Sequence, residues 1–241
     1  KGLFTKEIDE AQLNFKIDIA VHSLKDLPTK LPEGLIIGAV LKRDNPNDLI
    51  MTRDKVKLKD LKKNAVVGTS SIRRAVQLKK LRPDIELKEI RGNIETRINK
   101  LKNGKFDAII LAYAGLKRLK IKDHYEKIDI KEMIPSPGQG VIAIVIRKHD
   151  NLLSLLKRLN DQKTSIESKC ERNFLSALDG SCKTPIGALA RLELKTKSKI
   201  LFHYMAATSD GKKFIKDKTY FDIDNYCKMS FNLGKKIKKM L

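Results

Sequence analysis

Five short stretches of this 241-residue chain bring together residue types that can do chemistry. Gly68-Thr69-Ser70-Ser71-Ile72-Arg73-Arg74 sets three hydroxyls and two guanidinium groups where an apolar run gives way to a helical pattern. Free N–H groups at a helix start favour an anion, and the hydroxyls and arginines add to that. The plainer reading of the same residues is Ser70 or Ser71 as a helix cap with two surface arginines. Arg91-Gly92-Asn93-Ile94-Glu95-Thr96-Arg97 and Ala114-Gly115-Leu116-Lys117-Arg118 repeat the arrangement, although each arginine taken singly reads as a surface ion pair. In His22-Ser23-Leu24-Lys25-Asp26-Leu27-Pro28, a carboxylate beside a lysine can hold its charge, stabilise a cation or pass a proton. Asp26 before Leu27-Pro28 is equally ordinary turn chemistry, and His22 alone reads as structural. In Asp179-Gly180-Ser181-Cys182-Lys183-Thr184-Pro185, a loop cysteine next to a cation can act as a nucleophile. Cys170 and Cys227 fall in helical patterns and read as packing residues.

The elements that must position these residues alternate. Strands are expected at Ile17–Val21, Leu35–Leu41, Ala65–Val67, Glu86–Ile90, Ala108–Leu111 and Val141–Ile146. Helices are expected at Gly2–Asn14, Ile72–Leu81 (stopped by Pro83), Ile94–Leu101, Ala114–Leu119, Leu152–Leu159 and Ile166–Leu178. Three arginine-bearing junctions then sit on one carboxyl edge of a parallel sheet, where open α/β sheets bind ligands. The last third reads as strands Ala188–Leu194, Ile200–Ala207 and Lys213–Phe221, with Asp210-Gly211 as a turn, closed by helix Asn225–Met240. Two α/β domains and a small α+β domain follow from this pattern, with hinges at Lys42–Asn47 and Pro135–Gly140. The chain also opens on a helix where such a domain usually opens on a strand.

Composition excludes several classes. A hydrophobic fraction of 41% supports a folded core. The apolar runs are too short to span a bilayer, and the first twenty residues lack the apolar core of a signal peptide. Three widely spaced cysteines fit neither a disulfide scaffold nor a zinc site, which suits a reducing compartment. The formal charge of +22 calls for an anionic partner. Most of it is scattered lysine. Arginine is the more informative cation, because its planar fork pairs carboxylate or phosphate at two points. An aromatic fraction of 5%, with no tryptophan and no reader motif, argues against specific nucleic-acid binding.

In this order, Lys1–Phe4, Asp18–Asp26, Gly68–Arg74, Arg91–Arg97, Ala108–Arg118, Pro137–Gly140 and Gly180–Gly187 resemble the porphobilinogen deaminase (hydroxymethylbilane synthase) family. The resemblance implies a transferase of haem and other tetrapyrrole biosynthesis. Such an enzyme joins four porphobilinogen molecules head to tail into hydroxymethylbilane, releasing ammonia, on a dipyrromethane cofactor held to a cysteine by a thioether. By position that cysteine is Cys182. The catalytic aspartate falls on Asp26, with Lys25 beside it. The carboxylate-binding arginines fall on Arg73 and Arg74 at the cofactor and on Arg91, Arg97 and Arg118 at the substrate. Thr69, Ser71, Lys25 and Ser23 are implied as supporting contacts, Phe4 as a stacking residue and Lys1 as an anion contact.

Loss of ammonia leaves an electrophilic azafulvene, and the attacked ring passes through a cation. A fixed carboxylate suits both steps. The implied fold has two α/β domains resembling the lobes of periplasmic anion-binding proteins, and a third α+β domain carrying the cysteine. Their spans are 1–41 with 141–159, 47–134 and 163–241. The family's N-terminal strand and helix are then missing from this chain, and glycine commonly stands where Ser181 does. No metal is implied, a monomer fits, and the location is the cytoplasm, or an organelle stroma or matrix if a targeting segment precedes the chain. The rival reading is a two-lobed anion-binding module without catalysis. It leaves the Lys25–Asp26 pair and the loop cysteine without a purpose.

Overall fold

The structure is a computed structural model that describes residues 3–179, 184–193 and 198–241. Helix α1 (Leu3–Leu13) leads into strands β1 (Ala20–Ser23), β2 (Leu35–Val40) and β3 (Asp48–Thr52). Then come β4 (Val66–Gly68), α2 (Ile72–Leu81), β5 (Glu86–Lys88), α3 (Ile94–Lys102), β6 (Ala108–Ala112), α4 (Tyr113–Arg118) and the short β7 (Glu126–Lys127). After these lie β8 (Ile142–Arg147), α5 (Leu152–Leu156) and α6 (Gln162–Ala177). The chain ends with β9 (Ile186–Leu192), β10 (Lys199–Ala207), β11 (Phe214–Asp222) and α7 (Tyr226–Met240).

Three sheets result. The first has the order β1-β8-β2, with both pairings antiparallel. Its centre is the apolar run expected at 141–146. Alternate residues of that strand serve different cores: Ala143 and Val145 pack with Leu24, Leu27 and Leu35, whereas Ile144 and Ile146 pack with Ala39 and Leu156. The second sheet has the order β5-β4-β6-β3-β7. β4 runs parallel to both β5 and β6, so the loops after these three strands leave one edge, as the sequence pattern requires. The third sheet is the antiparallel meander β9-β10-β11. Phe174 of α6 packs edge-on against Phe202 of this sheet, and Phe202 in turn contacts Phe221.

Three elements depart from the sequence pattern. β3 reads in the sequence as part of a connection, because Pro46 and two asparagines precede it. All five of its residues are buried, and it pairs antiparallel with β6. β1 lies nearer the Lys25 turn than the apolar run Ile17–Val21 suggests, because its pairing with β8 starts at Ala20. α6 begins a turn before Ile166, where the Asp161 side chain accepts from Thr164 N at 2.8 Å and caps it.

The chain crosses between the first two sheets twice, after β2 and before β8. One side chain of α6 ties both crossings. Glu171 accepts from Gly138 N at 2.7 Å and from Ala190 N at 2.9 Å, and pairs with Arg43 at 2.8 Å. Glu167, one turn earlier, lies 3.7 Å from the same guanidinium. Removing one partner of a buried pair leaves the other without compensation. Glu171→Ala is therefore expected to cost about 3–5 kcal/mol of unfolding free energy. A urea titration that finds less than about 1 kcal/mol would contradict this anchoring, since that is the range of exposed pairs.

Candidate active site

Residues that follow β1, β4, β5 and β6 line one cavity of about 400 Å³. Each reaches it for a local reason. Lys25 stands in a single 3-10 turn that continues β1, pinned where Leu24 N donates to Val141 O at 3.0 Å. Arg74 comes from the first turn of α2, which the Ser71 side chain caps by accepting from Arg74 N at 3.5 Å. Arg97 projects from α3, which Asn93 caps through Thr96 N at 2.8 Å. Its Nε donates to Gly92 O at 2.7 Å. Gly92 has φ +118°, and a Cβ there would lie 2.7 Å from a Thr96 methyl, so only glycine lets the chain turn so close to α3. Arg118, at the end of α4, donates to Gly140 O at 3.3 Å. Ser23 completes the polar lining.

One acidic residue orients the arginines. Asp48, the first residue of β3, is 0% exposed. Its Oδ2 accepts from Arg73 at 2.8 Å, and its Oδ1 accepts from Arg74 at 3.1 and 2.7 Å and from Gln139 Nε2 at 2.9 Å. Burial alone would raise the Asp48 carboxyl; the charges of Arg73 and Arg74 and the hydrogen bonds from Arg73 and Gln139 hold it well below the usual carboxylate range. Arg73 also donates to Ile134 O at 2.7 Å and does not line the cavity. Arg74 donates to Ile110 O at 3.0 Å and does line it.

The cavity is cationic throughout. Lys25, Arg74, Arg97 and Arg118 line it, and among the described residues no Asp or Glu does. Burial pushes Lys25 down to about 8, with Arg74 pushing the same way and Asp26 opposing. Burial and the Arg74 charge likewise lower Arg97. Like charges packed this closely, without an acidic neighbour in the lining, suit a ligand that carries several carboxylates.

The remaining expected site residues lie elsewhere. Asp26 is exposed, next to Lys25, and is not among the lining residues. Thr69 and Ser71 border a second cavity, of about 710 Å³, between α2 and the turn Ser209–Gly211. That cavity is larger; in it Thr69 Oγ1 accepts from Ser71 N, and Lys79 Nζ donates to Pro83 O. The Arg91 side chain is 81% exposed and pairs with Glu89 at 2.9 Å. Lys1, Cys182 and the Phe4 side chain lie outside the described residues. Two residues at the heart of the site had no role in the sequence reading. Asp48 was hidden in a turn-like Asn-Pro-Asn-Asp run, and Gln139 in the Pro-Gly-Gln-Gly motif.

The chain is similar to known proteins along most of its length. The family model described as porphobilinogen deaminase, dipyromethane cofactor binding domain, matches residues 1–154, and that of the porphobilinogen deaminase C-terminal domain matches residues 165–241. The porphobilinogen deaminase of a Nitratiruptor species is 47% identical over 240 residues, spanning 98% of this chain and 75% of the relative. That of Desulforamulus reducens is 42% identical over 242 residues, spanning 100% and 77%. Among solved structures, a putative methionine-binding lipoprotein from Bacillus subtilis aligns with a TM-score of 0.44 at 17% identity, covering 66% of this chain and 76% of that one.

The Asp48 cluster makes a prediction about acid stability. A carboxyl lowered on folding contributes stability that is present above its unfolded value, about 3.9, and lost as pH falls toward the folded value. Asp48→Asn should lower unfolding free energy at pH 7 by about 3–5 kcal/mol, because two buried guanidinium groups lose their counter-charge. The gap to wild type should narrow below about pH 4. Urea titrations at pH 7 and pH 3 that gave equal gaps would rule out an ionised Asp48 as the source.

Proposed function

The chain belongs to the porphobilinogen deaminase family, and from that premise we propose how its own residues carry the reaction. The enzyme joins four porphobilinogen molecules into hydroxymethylbilane with release of ammonia. The observation that carries our assignment is the cavity in which Lys25, Arg74, Arg97 and Arg118 converge with no acidic residue in the lining. Each pyrrole of substrate and product bears an acetate and a propionate, and four cations suit such a set of anions. The same donor set fits dipyrromethane, which when bound would supply the terminal pyrrole that the first new ring joins.

Arg74 and Lys25 are assigned to the primer's carboxylates and Arg97 and Arg118 to those of the incoming pyrrole, with the Ser23 hydroxyl as a neutral donor or acceptor between them. Arg73 and Ser71 contribute by position: Arg73 shares Asp48 with Arg74, and Ser71 caps the helix that presents Arg74. Thr69 supports that cap through Ser71 N at 3.2 Å. Arg91 is assigned to the approach of substrate rather than to the cavity. Asp26 is assigned the proton chemistry. A carboxyl there can give a proton to the departing amine, and the carboxylate left behind can face the positive charge on a pyrrole N–H. Cys182 is assigned the thioether, and Lys1 and Phe4 the contacts the resemblance implies. The division into domains 1–41 with 141–159, 47–134 and 163–241 is supported by the three separate sheets. A monomer acting on porphobilinogen in the cytoplasm, or in an organelle if a targeting segment precedes this chain, completes the reading. No described helix is long and apolar enough to cross a membrane.

Asp26→Asn is expected to keep the primer's mass on the peptide containing Cys182 while turnover falls by about 100-fold or more, the usual loss for a general acid–base residue. Turnover within tenfold of wild type removes Asp26 from the proton chemistry. Cys182→Ser should show no added mass in the intact protein. The same added mass on Cys170 or Cys227 would move the attachment point.

A further inference from the structure

We propose that Gln139 is a positioning residue whose carboxamide fixes Lys25 relative to the Asp48–Arg74 pair across both chain crossings. The inference rests on the assignment of Lys25 and Arg74 to one ligand site. Gln139 is 1% exposed. Its Nε2 donates to Pro46 O at 2.6 Å and to Asp48 Oδ1 at 2.9 Å, which uses both amide hydrogens on the first crossing and β3. The amide cannot be flipped without setting its oxygen against a carbonyl and a carboxylate. Its Oε1 is therefore committed to the other side, where Lys25 Nζ lies 3.5 Å away.

The backbone allows little slack around this amide. Gly138 and Gly140 flank it with φ +74° and +83°. A Cβ on Gly140 would come within 2.6 Å of Asp44 O, and one on Gly138 within 2.9 Å of Leu24 Cγ. The second crossing is thus wedged between the first crossing and the residue that precedes Lys25. Ser136 O accepts from Gln139 N at 2.9 Å and closes the turn. Through this wedge the amide spans from the 3-10 turn after β1 to the first residue of β3.

A long ammonium–amide contact matters here because Lys25 sits among opposing charges. Arg73 and Arg74 face it from α2, Asp48 from β3, and Asp26 from its own turn. The arginines disfavour the ammonium, and the two carboxylates favour it. An amide oxygen directed at Nζ favours the charged form, which a carboxylate ligand needs.

The test reads Lys25 directly, without substrate, in the purified whole protein. Competitive acetylation with acetic anhydride between pH 6 and 10, read on the Lys25 peptide by mass spectrometry, gives the midpoint of Lys25 ionisation. In wild type it is expected near 8. Gln139→Leu should lower it by half a pH unit or more, raising the labelling rate at pH 7 about threefold, and Gln139→Glu should raise it. Equal midpoints, or shifts of the same sign in both variants, overturn the proposal. A second readout needs no change at Gln139. The side-chain amide resonance of Gln139 should move with pH at the Lys25 midpoint and stop moving in Lys25→Met; an amide signal that ignores Lys25 also overturns the proposal. Neither readout depends on turnover or on the primer, so a failure here leaves the tests of Asp26 and Cys182 untouched.

Discussion

The arrangement of the site depends on a fully buried carboxylate set behind the cavity wall. Asp48 holds two guanidinium groups and an amide with no access to solvent. A buried cluster of this kind is often no more stabilising than apolar packing of the same volume, because desolvation offsets the attraction. What it supplies is direction. A lone Arg74 facing Lys25 and Arg97 would turn toward solvent to escape like charge. Shared with Asp48, it stays at the wall of the cavity. Two arginines on one carboxylate also leave an excess positive charge beside low-dielectric walls, which draws anions into the cleft.

Glu171 plays a comparable part at the neighbouring residue of the second crossing. It holds Gly138 N and Arg43, while Gln139 reaches Asp48. Adjacent residues of one segment are thereby tied to opposite supports, α6 on one side and β3 on the other. The stretches that the sequence marks as hinges are tied by side chains of α6 and by Gln139.

The readable parts of this architecture are those governed by local rules. α2 begins and ends where its cap and Pro83 dictate, and the three strand-to-helix junctions share an edge because parallel strands leave no other choice. The resemblance carried by seven ordered stretches names the chemistry. Less of the site's wiring was legible. Asp48 looks like a turn residue until a helix some 25 positions later supplies its partners, and no periodicity records that pairing. Arg73 and Arg74 are neighbours of identical type. Both are bonded to Asp48 and to a backbone carbonyl, and only the helix face decides that Arg74 also borders the cavity. Gln139 was visible as part of a motif, but an amide's role depends on which way it faces, and sequence does not encode that locally.

The central position of β8 has a consequence for how the molecule is made. Gln12 of α1 donates to Val145 of β8, 133 residues further along the chain. Among the described residues, β1 and β2 pair with β8 and not with each other, so these pairings wait until the middle strand arrives. The whole second sheet is synthesised in that interval, before β8 reaches β1 and β2. Long-range closure of this kind is slow, and unpaired edges invite association with other chains. The first sheet, which carries Lys25 and Asp26 on the turn after β1, is accordingly completed only after the second sheet has been synthesised.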